Sequence, residues 1–271
     1  MAPAKLILEI LAKSGRIFFI VSLCVFAVGL LTCLNGCRLT KRGRETPKNS
    51  IFLKNEHDST HYFKYNIIYP DSVYIPAVAH ALKKFALKEK KQFLRLQPSD
   101  TSKYHVTPYE LRVEFKNVFR SARLTSYLAN AYRFTGGAHG TSSVKTFTYD
   151  IKKRRFIGLK DLLQDTTALQ PMSRYAMDQI ARKIYKKHSV HELKKFNKEW
   201  VKRGAGPLSK NFSVFFPARP EDNKPSGLVI IFSSYQVGPH YIGMPHIFIP
   251  DSVYYSALTR DYQSVFYDEK P

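Results

Sequence analysis

Two short stretches of the sequence combine histidine with glycine and tyrosine in a pattern that suits a binding site or a catalytic site. Residues 135–141 read TGGAHGT, and residues 235–241 read YQVGPHY. Histidine titrates near neutral pH, so it can act as a general base or as a metal ligand. Tyrosine offers a flat, rigid contact surface at a low cost in conformational entropy. The candidate ligand-binding residues are His139, Tyr235, His240 and Tyr241.

The glycines around His139 also support a purely structural interpretation. Gly136, Gly137 and Gly140 can adopt positive φ, which a tight connection between two strands needs. His240 and His246 are candidate partners for a chemical role, but the spacing of a zinc protease is absent. The chain also lacks the G-x-S-x-G pattern of serine hydrolases, a P-loop and G-x-G-x-x-G. We therefore predict no catalytic residue, no metal and no cofactor, and His139 stays open as a ligand contact.

The net charge is the second feature that bears on function. The sequence has 43 Lys and Arg against 21 Asp and Glu, a net charge of +22, and only Lys5, Lys13 and Arg16 among the cations precede Cys37. Such a chain attracts polyanions, including nucleic acid, anionic lipid headgroups and acidic polysaccharides. The stretch 183–203 is rich in lysine, which is typical of a cationic contact face or of an ordinary solvated helix face. The candidate contacts with an anionic surface are Lys186, Lys187, Lys194, Lys195 and Lys198.

The N-terminal segment decides which polyanion is within reach. All three cysteines, Cys24, Cys33 and Cys37, lie in this segment, so the remainder can form neither an internal disulfide nor a Cys-ligated zinc site. A basic stretch precedes the uncharged apolar run 17–34, which indicates an export signal. The following LNGC resembles a bacterial lipobox, which implies lipidation of Cys37. We predict a membrane-anchored, extracytoplasmic protein of the cell envelope that does not meet nucleic acid.

An uncleaved membrane helix is the alternative for the same run. Residues 17–34 are just long enough to cross a bilayer. The cations that follow the run outnumber those before it, so such a helix would favour a cytoplasmic C-terminal side.

The remaining sequence alternates between strand-like and helix-like patterns. Strands are predicted at 61–69, 111–116, 124–135, 144–150, 212–216, 228–234 and 246–249. Helices are predicted from Pro76 to before Pro98, from about Leu169, and from a capping box at Ser189 to Gly204. This order predicts an α+β fold with antiparallel sheets, packed helices and two subdomains. The predicted divisions are a signal peptide (1–37), a tether (38–60), an N-terminal subdomain (61–150), a C-terminal subdomain (151–260) and a tail (261–271).

The two histidine-containing stretches carry a resemblance to a known family. TGGAHGT is followed by FTYD (147–150) and LKDLL (159–163), and the second stretch continues as YQVGPHYIGMPHIFIPDSV (235–253). Together they resemble the extracytoplasmic domain of RsiV, a lysozyme-sensing anti-sigma factor, and the N-terminal region of the peptidoglycan deacetylase PdaC. The resemblance implies an exported, envelope-facing module without established chemistry of its own. No stretch resembles the deacetylase catalytic domain, so deacetylation does not carry over.

These observations favour a non-enzymatic envelope lipoprotein that binds an anionic envelope polymer, such as peptidoglycan-linked polymer or lipopolysaccharide, or an envelope protein. One alternative is a sensor or inhibitor that recognises lysozyme, as the family resemblance implies. Common lysozymes are cationic, so this alternative requires a local acidic patch. A further alternative is an envelope hydrolase that uses His139.

Overall fold

The computed structural model describes residues 52–96, 107–218 and 226–266. All of them belong to one compact unit, Asn49–Pro271. The strands are β1 (Phe52–Ser59), β2 (Phe63–Ser72), β3 (Tyr109–Arg120), β4 (Leu124–Phe134), β5 (Thr141–Asp150), β6 (Arg155–Ile157), β7 (Phe215–Ala218), β8 (Gly227–Ile231) and β9 (His246–Pro250). The helices are α1 (Pro76–Leu94), α2 (Leu159–Leu162), α3 (Leu169–Lys183), α4 (Lys195–Ala205) and α5 (Arg260–Phe266).

The first six strands form one sheet in the order of the sequence, from β1 to β6. Neighbouring strands are antiparallel except β2 and β3, which are parallel. A parallel pair needs a crossover connection, and α1 lies in the sequence between these two strands. The α+β fold class is confirmed, and the large sheet is mixed, whereas the sequence predicted antiparallel sheets.

Helix α1 covers one face of the six-stranded sheet. Pro76 stands at its N-terminus, where a missing backbone N–H costs nothing. Val78, Leu82, Ala86 and Phe93 recur at helical spacing and are buried against the aromatic and aliphatic side chains of the sheet. The apolar stripe of the helix therefore closes the first hydrophobic core.

A second core lies between α3 and a three-stranded antiparallel sheet in the order β7–β8–β9. The buried side of α3 consists of Leu169, Met172, Ala176 and Ile180. These side chains belong to the same buried cluster as the aliphatic residues of β8 and β9. The apolar face of α3 thus packs against the smaller sheet.

Polar contacts connect the six-stranded sheet to β7 and to α5. The backbone N–H of Phe215, at the start of β7, donates to the Thr146 hydroxyl of β5 over 3.1 Å. The fully buried carboxylate of Asp150 accepts two hydrogen bonds from Arg123, at 2.9 and 3.0 Å, and one from the Tyr262 hydroxyl of α5. Burial alone would raise the pKa of Asp150, but these hydrogen bonds hold it below its usual value.

Several predicted boundaries are wrong. Strand β1 lies inside the segment 38–60 that the sequence analysis treated as a tether, and β2 continues through Pro70, which pairs with Leu53 at the edge. Ser189 does not cap a helix: a 3₁₀ turn follows it, and α4 begins at Lys195. Helix α4 also continues past Gly204, to Ala205. The signal segment and Cys37 lie outside the described residues.

Candidate functional site

The stretch TGGAHGT is the connection between β4 and β5, as predicted. Arg133 pairs with Thr141 at the last rung of this antiparallel ladder. Gly136 and Gly137 have φ values of 89° and 90°, a left-handed conformation that side chains with a Cβ rarely adopt. The two glycines turn the chain, and this places His139 on the exposed part of the connection.

His139 contacts two residues of the second stretch. Its ring stacks on the ring of His240, with centroids 3.8 Å apart and planes inclined by 17°. Its Nδ1 lies 3.1 Å from the carbonyl oxygen of Gly140, and its Nε2 lies 3.4 Å from the hydroxyl of Tyr235. A carbonyl only accepts hydrogen bonds, so Nδ1 donates to Gly140, whereas the tyrosine hydroxyl can either donate to Nε2 or accept from it.

The structure thus brings together the four candidate residues from the two stretches. Tyr235 and His240 have ring centroids 5.6 Å apart, and Tyr241 follows directly in the same 3₁₀ turn. Tyr241 is 82% exposed and Tyr235 is 45% exposed, which are high values for such large rings. We call His139, Tyr235, His240 and Tyr241 the His–Tyr cluster.

Helix α4 holds the loop that carries Tyr235. Tyr235 has a φ of 64°, an unusual value for a residue other than glycine, so its conformation must be imposed by its surroundings. The Trp200 indole N–H donates to the Tyr235 carbonyl over 2.8 Å. The Gln236 side-chain amide donates to the carbonyls of Gly204 and Asn211 and accepts from the backbone N–H of Ser233.

A glycine in α4 allows this close approach. A Cβ on Gly204 would lie 1.8 Å from the carbonyl oxygen of Gln236, which is too close for any side chain. Neither Trp200 nor Gly204 was predicted as a site residue. The signal that could have found Gly204 is a glycine inside a helix, a costly placement that indicates tight packing.

The predicted cationic residues lie on and before α4. Lys186, Lys187, Lys194 and Lys195 are exposed, and Lys198 is half-buried. Lys194 directly precedes α4, and Lys195 and Lys198 lie in its first turn; Trp200 of the same helix supports the His–Tyr cluster. Phe196 on this helix is 65% exposed.

The cluster offers hydrogen bonding and flat rings but no set of metal ligands. Within residues 52–96, 107–218 and 226–266, no group of three or more His, Cys, Asp or Glu side chains can hold a metal ion. His246, a candidate partner of His139, instead begins β9, where it pairs with Ile231. The part of the chain that the structure describes also contains no helix long and apolar enough to cross a bilayer.

Comparison with protein families divides the chain in two. Residues 56–142 match the family model described as Deacetylase PdaC, and residues 160–252 match the one described as a protein of unknown function, DUF3298. His139 lies in the stretch that matches the first model, and the other three members of the His–Tyr cluster lie in the stretch that matches the second. The cluster is therefore a contact between the two matched stretches.

One curated relative matches most of the chain. The chain is 30% identical over 269 residues to the peptidoglycan-N-acetylmuramic acid deacetylase PdaC of Bacillus subtilis (strain 168), and the match covers 93% of this chain. It covers 52% of the relative, so the chain spans about half of that protein's length.

Two solved structures of DUF3298 proteins share the fold. One comes from Bacteroides fragilis NCTC 9343, with a TM-score of 0.50, 15% identity, and coverage of 82% of this chain and 100% of that one. The other comes from Pseudomonas aeruginosa PAO1, with a TM-score of 0.52, 13% identity, and coverage of 79% and 94%. At such identities the likeness concerns the fold alone. The predicted likeness to the lysozyme-sensing anti-sigma factor stays a prediction.

Proposed function

We propose that this chain works in the bacterial cell envelope as a non-enzymatic module that binds peptidoglycan. The His–Tyr cluster makes contact with the glycan, and the lysines on and before α4 attract its carboxylates. The observation that carries the proposal is the convergence of His139 with Tyr235 and His240 beside the highly exposed Tyr241.

The cluster has the properties of a contact surface for sugars. A tyrosine ring presents an apolar face and a polar hydroxyl, and this combination suits the faces and edges of a sugar ring. The loop is held by α4 through Trp200 and Gln236, so binding costs little ordering of the backbone. Such an ordered loop with an exposed ring suits a polymer whose repeating units each bind weakly.

Charge supplies the long-range part of the proposed interaction. The chain has a net charge of +22, and Lys194 and Lys195 are exposed at the N-terminus of the helix that supports the cluster. Attraction between exposed charges is screened over about 8 Å at physiological salt. Binding should therefore weaken as salt rises, while the contact with the glycan remains.

The envelope location is part of the proposal. The B. subtilis relative is named as an enzyme that acts on peptidoglycan. An export signal with lipidation at Cys37 would hold the module at a membrane, close to this polymer. One lipid chain binds a membrane only marginally, and the several chains of a lipoprotein would retain it.

The contacts of the cluster argue against the alternatives. Residues 232–245 contain no charged residue, and residues 134–144 contain no Asp or Glu. A cationic lysozyme would therefore meet no carboxylate on either loop. The hydrogen bonds of the His139 ring run to a backbone carbonyl and to a phenol, and neither activates a histidine as a carboxylate does.

Co-sedimentation of the full chain with purified peptidoglycan sacculi at rising salt tests the proposal. We expect Tyr241→Ala to weaken binding by about tenfold, because a central, exposed tyrosine ring is lost. The matched control is Tyr74→Ala, which removes another highly exposed ring, 72% exposed, two residues before α1.

A second pair of variants tests the role of charge. The double variant of Lys194→Gln and Lys195→Gln should reduce binding by about two- to fivefold for each lysine at low salt. Its control is the same change at Lys84 and Lys88, which are exposed on α1. The proposal is refuted if sacculi do not retain the wild-type chain. It is also refuted if each cluster or α4 variant loses no more binding than its control.

A further inference from the structure

A polar cavity of about 250 Å³ lies at the end of the β4–β5 hairpin that leads to His139. It is bounded by α1 on one side and by β4 and β5 on the other, with buried Ala131 in its wall. Its polar lining consists of Glu89, Gln92, Arg133, Thr141, Ser142 and Ser143.

The two charged side chains in this cavity have opposite charges and form an ion pair. The Arg133 guanidinium donates to the Glu89 carboxylate over 2.8 Å, and the side chains are 28% and 12% exposed, respectively. Partial burial of such a pair costs free energy, which offsets much of its attraction. The Nε of Arg133 is also buried and makes no hydrogen bond to any described residue. The pair is therefore poorly explained as a device for stability alone.

The lining offers both hydrogen-bond donors and hydrogen-bond acceptors, and its one positive charge matches its one negative charge. Glu89 only accepts, Arg133 only donates, and the Gln92 amide and the hydroxyls of Thr141 and Ser143, which share one face of β5, do both. An anion would be repelled by Glu89 as much as it is attracted by Arg133. An apolar ligand would leave these groups without partners, which is costly. The chemistry that fits is an uncharged ligand rich in hydroxyl and amide groups.

The cavity and the His–Tyr cluster lie at the same end of the β4–β5 ladder. Arg133 and Thr141 form the last rung before the connection, and both line the cavity. His139 precedes Thr141 by two residues, a stretch that reaches at most about 7 Å when fully extended. A glycan chain that follows this end of the sheet would meet both.

We propose that this cavity is a subsite for one uncharged N-acetylated sugar unit of a glycan chain. The inference rests on the proposed function, because it assigns a sugar-specific pocket to the same binding surface. Glu89 and Arg133 bind ring hydroxyls, and Gln92 with the β5 hydroxyls binds the acetamido group. The lysines select the polymer by charge, and the cavity recognises its neutral sugars.

The test uses a soluble, uncharged probe, the tetramer of N-acetylglucosamine, with the full chain in isothermal titration calorimetry. We expect Gln92→Ala and Ser143→Ala each to weaken binding by about fivefold, the loss expected for one hydrogen bond. The matched control for the glutamine is Gln170→Ala, an exposed position on α3. High salt should leave binding of this neutral probe unchanged.

A measurement without variants complements the test. In an NMR titration of the wild-type chain, the side-chain amide of Gln92 should shift as the tetramer is added, and that of Gln170 should not. If sacculi bind but the tetramer does not, or the tetramer binds without affecting Gln92, the subsite is overturned and the proposed function stands. If the tetramer binds and shifts Gln92 but sacculi do not bind, the subsite stands and the proposed function fails.

Discussion

Gln236 fastens the loop of the His–Tyr cluster to α4, and its removal should be costly. Its side-chain amide donates to the carbonyl of Gly204 over 2.8 Å and to that of Asn211 over 3.0 Å, and it accepts from the N–H of Ser233 over 2.9 Å. Gly204 and Asn211 are buried, so water cannot freely replace the lost partner. At about 1 kcal/mol for each hydrogen bond, Gln236→Ala should lower the free energy of unfolding by about 3 kcal/mol.

Thermal unfolding of the full chain, followed by circular dichroism, measures this cost. For a domain of this size, about 3 kcal/mol corresponds to a fall in Tm of about 6–12 °C. The matched control is Gln263→Ala on α5, because the Gln263 amide makes one longer hydrogen bond, 3.3 Å, to the Leu258 carbonyl. That carbonyl also accepts from Gln164, so it keeps a partner.

The comparison also has a functional readout. Tyr235 precedes Gln236 directly, so a released loop should weaken binding of sacculi, whereas Gln263→Ala should leave it unchanged. If the two glutamine variants melt within about 2 °C of each other, the three hydrogen bonds do not hold the loop and the reasoning is wrong.

Three further predictions concern Trp200 and Gly204, which hold the cluster loop, and the buried Asp150. Trp200→Phe removes the indole donor to the Tyr235 carbonyl and should cost about 1 kcal/mol in urea unfolding, and an unchanged midpoint would contradict it. Gly204→Ala places a Cβ 1.8 Å from the Gln236 carbonyl oxygen and should cost about 1–3 kcal/mol, although alanine is the better helix former. The pKa of Asp150 is lowered in the folded state, so its stabilisation is present above about pH 4, its unfolded pKa, and is lost as pH falls through the folded pKa. The Tm measured from pH 6 downwards should therefore drop below about pH 4, and Asp150→Asn should show a smaller drop.

Strong local patterns in the sequence predicted most of the elements. Pro76 and the apolar spacing behind it located α1, and the glycine pair at 136–137 located the hairpin, because each pattern states a local backbone preference. Strand β1 was missed because FLKNEHDS is polar on both faces, as an edge strand can be when its partner β2 supplies the pairing.

Local patterns gave the wrong boundaries at two places in α4. The Ser189 capping box was wrong because Glu192 instead accepts a hydrogen bond from the backbone N–H of His188, and α4 starts later. Gly204 suggested a helix end, yet the helix continues past it. The glycine is needed there for the approach of the Gln236 carbonyl, a requirement that local propensity does not reveal.

The sequence by itself determined which features this protein has: an α+β set of elements, a large positive charge, and two loops with histidine and tyrosine. Only the tertiary structure decided that His139 stacks on His240 and that α1, β4 and β5 enclose a polar cavity. The physical reason is that periodicity and turn chemistry act over a few residues. The contact between the loops depends on how β4, β5, α4 and the 3₁₀ turn at His240 pack, and that packing is a property of the whole fold.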